Sequence, residues 1–169
     1  MELNDREIRH LMRQVYRIAM YSTDRSTNNG AILVDEHQGQ AVPLVAGYNA
    51  HLPGWGDKEE HHERPLKYSV TEHAERDVIY RAAYQGICTR GLTMIANWVL
   101  CPDCARGVVL PGIRRVICHK QCMDRTPPRW KEMIALGLEM CEKNNVPVYQ
   151  WSGKIGGVTN LNSGENWKP

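Results

Sequence analysis

One mixed β-sheet with helices on both faces is the fold class this sequence predicts. Two observations predict it: a strand hairpin comes early, and helix and strand patterns then alternate to the last third of the chain. The length, 169 residues, suits a single domain that buries its own core without disulfide staples.

Each element follows from local pattern. Asn4 or Asp5 can cap a first helix running to about Met20, with Ile8, Leu11, Met12, Val15, Tyr16 and Ala19 on one apolar face. Arg13 and Arg17, with acids nearby, read as solvated surface. After a Ser/Thr/Asn/Asp loop, Ala31–Val34 reads as a buried strand, 36–39 as a turn and Val42–Gly47 as the hairpin partner. Pro43 places that partner at an edge or a bulge. A polar loop spans 49–68, long enough to be functional or disordered. A helix over 72–84, a strand over 92–98, a short helix over 102–110 and a strand over 113–118 come next. An amphipathic helix over 129–144 and a last strand over 146–151 complete the order α-β-β-α-β-α-β-α-β. Beyond Trp151 the chain is rich in Gly and Asn without periodicity, which predicts a tail that is irregular or draped on a neighbour.

Composition narrows the partners. The formal charge is +2 with acids and bases interspersed, so the basic stripe of a nucleic-acid binder is missing. No apolar run nears the roughly 20 residues needed to span a bilayer, and the charged start MELNDREIRH lacks a signal core. A cytoplasmic location is expected. The six cysteines then read as reduced thiols, some of them on a metal.

Two short segments carry the chemistry. Cys101-Pro102-Asp103-Cys104 places two thiols on one helical turn, with Pro102 suited to the first position. The positive end of a helix dipole favours the thiolates that a metal requires. Alone, the pair could be half of a structural zinc site, a redox couple or two buried cysteines. Thr71-Glu72-His73-Ala74-Glu75 adds a nitrogen ligand and, two residues on, a carboxylate. Three ligands leave a tetrahedral zinc one open position, the mark of a catalytic site, where the metal lowers the pKa of water towards 7. Glu75 can take a proton from that water and return it to a ring nitrogen and then to a leaving amine.

His-x-Glu followed by Cys-x-x-Cys is a zinc deaminase signature. The sequence resembles the cytidine/deoxycytidylate deaminase superfamily from about Ser22 to Trp151. Gly47–Asn49, Glu72–Ala83 and Cys101–Ile113 are most similar to deoxycytidylate (dCMP) deaminases of the phage type. The resemblance implies a three-layer α/β/α fold with a five-stranded mixed sheet, Zn2+ held by His73, Cys101 and Cys104, and Glu75 as the proton carrier. It further implies that Asn49 meets the sugar hydroxyl, that the Ala74 N–H meets the pyrimidine carbonyl, and that the carbonyl of Leu100, where the family usually has Pro, meets the exocyclic amine. Trp98 could wall the ring, or be a strand tryptophan of the core. Arg25 stands where relatives place a basic residue near phosphate. Dimers or hexamers, and regulation by dCTP and dTTP, are implied on the same footing.

The function expected is deamination of dCMP to dUMP. Alternatives are the same chemistry on dCTP, a 5-substituted dCMP or tRNA adenosine, the deaminase step of riboflavin synthesis, and a zinc module without catalysis. His61 and His62 read as exposed loop histidines, although some relatives hold a second, structural zinc in this region. Cys88, Cys118, Cys122 and Cys141 read as buried small residues, His119 as no ligand, and Glu72 as a helix cap.

Overall fold

The computed structural model describes residues 3–37 and 40–169. Helix α1, Asp5–Ala19, begins where its capping residues put it. The Asn4 side chain accepts from the N–H groups of Arg6 and Glu7, and the Glu7 carboxylate accepts from the Asn4 N–H. That reciprocal cap satisfies donors the first turn leaves without partners. Leu11, Met12, Val15, Tyr16 and Ala19 are buried on one face, with Ile8 packed at its edge.

Strands β1 (Gly30–His37) and β2 (Gln40–Tyr48) form the expected hairpin. Of its expected turn, Glu36 and His37 still belong to β1, while 38 and 39 lie outside the described residues. The register shifts between Leu33 and Val34, so that Leu33 faces Val45 but Val34 faces Pro43. Pro43 thus sits at a bulge on an edge strand, where a missing N–H breaks no ladder. Strands β5 (Thr93–Ala96), β6 (Arg115–His119) and β7 (Val148–Trp151) complete a five-stranded sheet in the order β2-β1-β5-β6-β7. The first two pairings are antiparallel and the last two parallel, so the sheet is mixed.

Alternation along β1 builds both cores. Ala31 and Leu33 join one cluster with Ala74, Val78, Ala105 and Val108, which come from α3 (Ala74–Tyr84) and α4 (Pro102–Val109). Cys141 of α6 (Lys131–Lys143) joins the same cluster. Ile32 and Val34 face the other way, onto Leu11, Met12, Val15 and Tyr16 of α1. The period of two in the strand separates the layers. The result is the three-layer α/β/α arrangement with helices on both faces. No helix among the described residues is long and apolar enough to cross a membrane.

Several expectations need correction. The polar stretch after Asn49 is not structureless: β3 (Ala50–His51) pairs with β4 (Thr71–Glu72), and a 3-10 turn at Glu59–His62 and helix α2 (Lys67–Val70) lie between them. Pairing with Ala50 draws Glu72 into a strand, so α3 starts two residues later than its pattern suggested. A short helix α5, Lys120–Met123, also follows β6. The tail is ordered against its own chain. Arg13 is not merely solvated: its guanidinium donates to the carbonyls of Ile155 (2.6 Å) and Gly156 (3.1 Å), and Ile155 is buried. Strands β8 (Asn160–Asn162) and β9 (Glu165–Trp167) then form a hairpin, and Trp167 stacks on His119 with the rings 16° apart. Three-residue strands built on Asn carry no alternation to read.

One close approach sets the position of α6. A Cβ on Gly137 would lie 2.3 Å from the Leu100 carbonyl oxygen and 3.0 Å from the Cys101 carbonyl carbon. Only a glycine lets the helix rest on the backbone that leads into Cys101. Gly137→Ala is therefore expected to cost about 1–3 kcal/mol by overpacking, read as a lower urea midpoint, and to weaken metal retention at the same time.

Candidate active site

His73 and Cys101 occupy matching positions. Each is the N-cap of a helix, α3 and α4 respectively, and each has extended backbone (φ −84°, ψ 147° and φ −76°, ψ 171°). Pro102 takes the first position of α4, as expected. Arg76 ties the two starts together, bonding Glu72 at 2.5 Å and Asp103 at 3.4 Å. Glu72 also accepts from the His73 N–H at 2.8 Å, but it lies in β4 and no side chain caps α3, so the expected helix cap does not form.

The side chains converge. His73 Nδ1 lies 3.6 Å from Cys101 Sγ and 3.4 Å from Cys104 Sγ, and the two sulfurs are 3.5 Å apart. Tetrahedral zinc with bonds of about 2.3 Å to sulfur and 2.0 Å to nitrogen needs separations of roughly 3.5–3.8 Å. The triad fits a zinc ion. Glu75 is 4% exposed, and its Oε2 sits 3.6 Å from Cys104 Sγ.

Electrostatics prepares the thiols. Hydrogen bonding with Cys104, followed by that with His73, outweighs burial and holds the Cys101 thiol down at about 3. Its partner moves the opposite way: Cys104 is pushed up by its bond with Cys101, by burial and by the Glu75 charge. One thiolate is thus in place before a metal arrives. Burial opposes the imidazolium of His73, but the bond to Cys101 and the charge of Glu75 raise it overall. Burial also raises Glu75 above the usual carboxylate range, against the pull of His73.

His73, Glu75 and Cys101 line a cavity with Trp98, Trp130 and Tyr68. Trp130 meets Tyr68, His73 and Trp98 edge-on, with centroids 5.4, 6.2 and 6.3 Å away, and the Trp98 Nε1–H donates to Thr126. Trp98 is thus brought to the cavity, and so is Asn49. Asn49 also braces the fold: its Oδ1 accepts from the Asn29 N–H at 2.7 Å and its Nδ2 donates to the Thr27 carbonyl at 2.8 Å, two of the four hydrogen bonds a carboxamide can make. Ala74 is fully buried between two lining residues and, as the first residue of α3, has an N–H without an intrahelical acceptor.

Two expected contacts are not brought there. The Leu100 carbonyl packs against Gly137, and Leu100 does not line the cavity; Val99, one residue earlier, does. Arg25 is exposed and bonded to Glu59 (2.6 Å) and Asp57 (3.1 Å), because the acidic loop competes for it. The cations that do line the cavity are Arg64, Lys67 and Arg129. Lys67 donates to Asp24 at 2.6 Å and to Ser26, all largely buried; burial alone would raise Asp24, but the Lys67 bond lowers it overall. Arg64 and Arg129 have no carboxylate partner among the described residues. Sequence reading passed over these three, since two follow an acidic run and the third opens a predicted helix.

Other side chains also depart from expectation. His61 is 3% exposed, held by Gly56 and packed on Trp55, and His62 bonds Asp57, so neither is an exposed loop residue. His51, Asp57 and His62 place donor atoms within 4.8 Å of one another and could hold a cation with no thiol among the donors. Cys118, Cys122 and Cys141 are buried as expected, but Cys88 is exposed, beyond the end of α3. His119 is buried and bonds the Tyr16 hydroxyl and the Gly153 carbonyl, so it is no ligand.

Known proteins resemble this chain. The cytidine and deoxycytidylate deaminase zinc-binding region matches residues 5–120. An uncharacterized deaminase from the luxG 3′ region of Aliivibrio fischeri is 31% identical over 134 residues, 78% of this chain and 84% of that protein. The deoxycytidylate deaminase of enterobacteria phage T2 is 32% identical over 80 residues, 47% of this chain and 40% of the phage protein. The solved dCMP deaminase of cyanophage S-TIM5, in complex with dCMP and dUMP, has a TM-score of 0.67 at 19% identity, covering 89% of this chain and all of that one. That last likeness is one of fold.

Fold, triad and relatives define the class, a deaminase whose metal is zinc. The chain belongs to the cytidine and deoxycytidylate deaminase family.

Proposed function

We propose that the protein hydrolytically deaminates a cytosine deoxynucleotide, dCMP to dUMP and ammonia. One observation carries the reading: the cavity lined by His73, Cys101 and Glu75 is also lined by two guanidiniums without acidic partners among the described residues, Arg64 and Arg129. Arg64 donates to the Tyr68 hydroxyl at 2.8 Å, and guanidiniums without acidic partners beside aromatic walls suit a planar base that carries an anionic phosphate.

His73, Cys101 and Cys104 would hold zinc, which when bound lowers the pKa of water and supplies a nucleophile at neutral pH. The residues do the rest. Glu75 takes a proton from the water that adds to C4, gives it to N3, and carries a second to the departing amine, so that ammonia leaves instead of an amide ion. Its burial and raised pKa let it hold that proton between steps. Trp98 and Trp130 flank the ring. The Ala74 N–H is free for the pyrimidine carbonyl, and the backbone at Val99 takes the part expected of Leu100.

Steady-state assay of the purified protein with dCMP, CMP, dCTP, cytidine and adenosine tests this, with dCMP expected to be consumed fastest. No turnover of any cytosine compound would overturn it. A charge-assisted hydrogen bond contributes about 1.5–3 kcal/mol, so Arg129→Ala should raise KM for dCMP about tenfold or more and leave that for deoxycytidine nearly unchanged. Arg25→Ala should move neither.

A further inference from the structure

We infer that the C-terminal hairpin of β8 and β9 belongs to the nucleotide site, its turn at Ser163 and Gly164 being the positioning element that holds the loop 24–29 in the shape the substrate meets. The inference rests on the functional reading above. Asp24, Ser26, Thr27 and Asn29 of that loop line the cavity, and Ser163 lines it with them. The loop joins α1 to β1 and has no helix or strand of its own, so its shape has to come from bonds to other parts of the chain. From within, Asp24 Oδ1 accepts from the N–H groups of Ser26 (2.8 Å) and Thr27 (3.1 Å). From outside, four hydrogen bonds tie the hairpin to three consecutive loop residues. Gly164 N–H donates to the Ser26 carbonyl at 2.8 Å, and Ser163 N–H to the Thr27 hydroxyl at 3.1 Å. Asn28 donates its N–H to the Leu161 carbonyl at 2.8 Å, and its own carbonyl accepts from the Asn160 side chain at 2.9 Å.

The segment so held carries more of the wall with it. Ser26 accepts from the Lys67 ammonium and the Thr27 carbonyl from the Asn49 side chain, and both donors line the cavity. The turn has one well-defined form. Ser163 and Gly164 have φ of 53° and 86° between paired Asn162 and Glu165, the two positive values of a tight two-residue hairpin loop. The other end of the hairpin is fastened to the body of the protein. Trp167 donates to Asn160 Oδ1 at 3.2 Å and stacks on His119, and the Arg125 guanidinium lies 4.5 Å over its ring. The N–H groups of the turn thus bond the cavity wall, while the triad and Glu75 sit at the starts of α3 and α4. A device so placed acts on substrate binding and leaves the reacting groups alone.

Two full-length variants separate this role from a merely structural one. Gly164→Val forces a β-branched residue into positive φ where a side chain meets nothing within 4 Å, so it strains the turn without a clash. Gly157→Val imposes the same strain in the same tail, at φ 71° and in equally open space, but residue 157 makes none of the bonds to 26–28. In Gly164→Val the KM for dCMP should rise about fivefold or more, because a loosened loop has to be ordered on binding, with kcat within twofold and zinc per chain unchanged. The amides of 26–28 should exchange with deuterium faster in that variant. Gly157→Val should keep the wild-type KM and the wild-type exchange at 26–28, even if it melts lower by as much. The same KM in both variants, or a joint fall of kcat and zinc content in Gly164→Val, would overturn the inference. A wild-type protein that consumes no cytosine nucleotide overturns the functional reading, and the hairpin's role with it, an outcome distinct from any behaviour of the variants.

Discussion

Glu75→Gln is expected to stop turnover while fold and zinc content stay intact. Positioned proton transfer contributes about 10²–10⁴-fold in rate, and glutamine keeps the size of the side chain but cannot carry a proton. Stability should not suffer, as the sign of the pKa shift shows. Burial raises Glu75 in the folded chain above its ordinary value. In the metal-free protein such a carboxyl contributes fully below its unfolded pKa, and that contribution is lost as pH rises through the folded one. Above the ordinary carboxylate range a buried Glu75 is therefore a burden relative to the unfolded chain, and glutamine removes it. The measurements are kcat, zinc per chain and the melting temperature with metal removed. Turnover within tenfold of wild type would leave Glu75 without its assigned role, and loss of fold would make it structural.

Cys104→Ser should abolish activity by a different route, loss of the metal. The triad spans 3.4–3.6 Å between donor atoms, with one donor on α3 and two at the start of α4. Removing a buried sulfur leaves two good ligands, since a serine hydroxyl stays protonated at neutral pH and binds zinc poorly. Zinc at a thousandfold excess over its Kd adds about 4 kcal/mol to stability. The variant should lack that increment and melt roughly 8–16 °C below the zinc-loaded wild type. Chelation of the wild type should reproduce both losses, and added zinc should reverse them there but not in the variant. Full zinc occupancy in Cys104→Ser would contradict the ligand assignment.

Most of the fold, and the reacting end of the site, were legible because they depend on local chemistry. The capping box at Asn4 and Glu7, the alternation in β1 and the two short motifs each declare themselves within a few residues. The cavity wall did not, since it is settled by long-range competition. Arg25 has the right type and place for a phosphate contact, yet Asp57 and Glu59 of a distant loop take it. Asn49 lies in the cavity, but Thr27 and Asn29 claim both ends of its carboxamide. Gly137 packs closely against the Leu100 carbonyl. In each case the neighbour lies 20 or more residues away in the chain, beyond the reach of a local pattern.

The wall contributed by Arg129, Trp130, Ile134 and Ser163 lies beyond residue 120, where the family match stops. Part of the cavity wall is therefore written outside the stretch that carries the bond-breaking machinery. Two members of the lineage could share every reacting group yet differ in diet, and exchanging the stretch from 127 to 134 is a way to retarget the catalyst while leaving its engine alone.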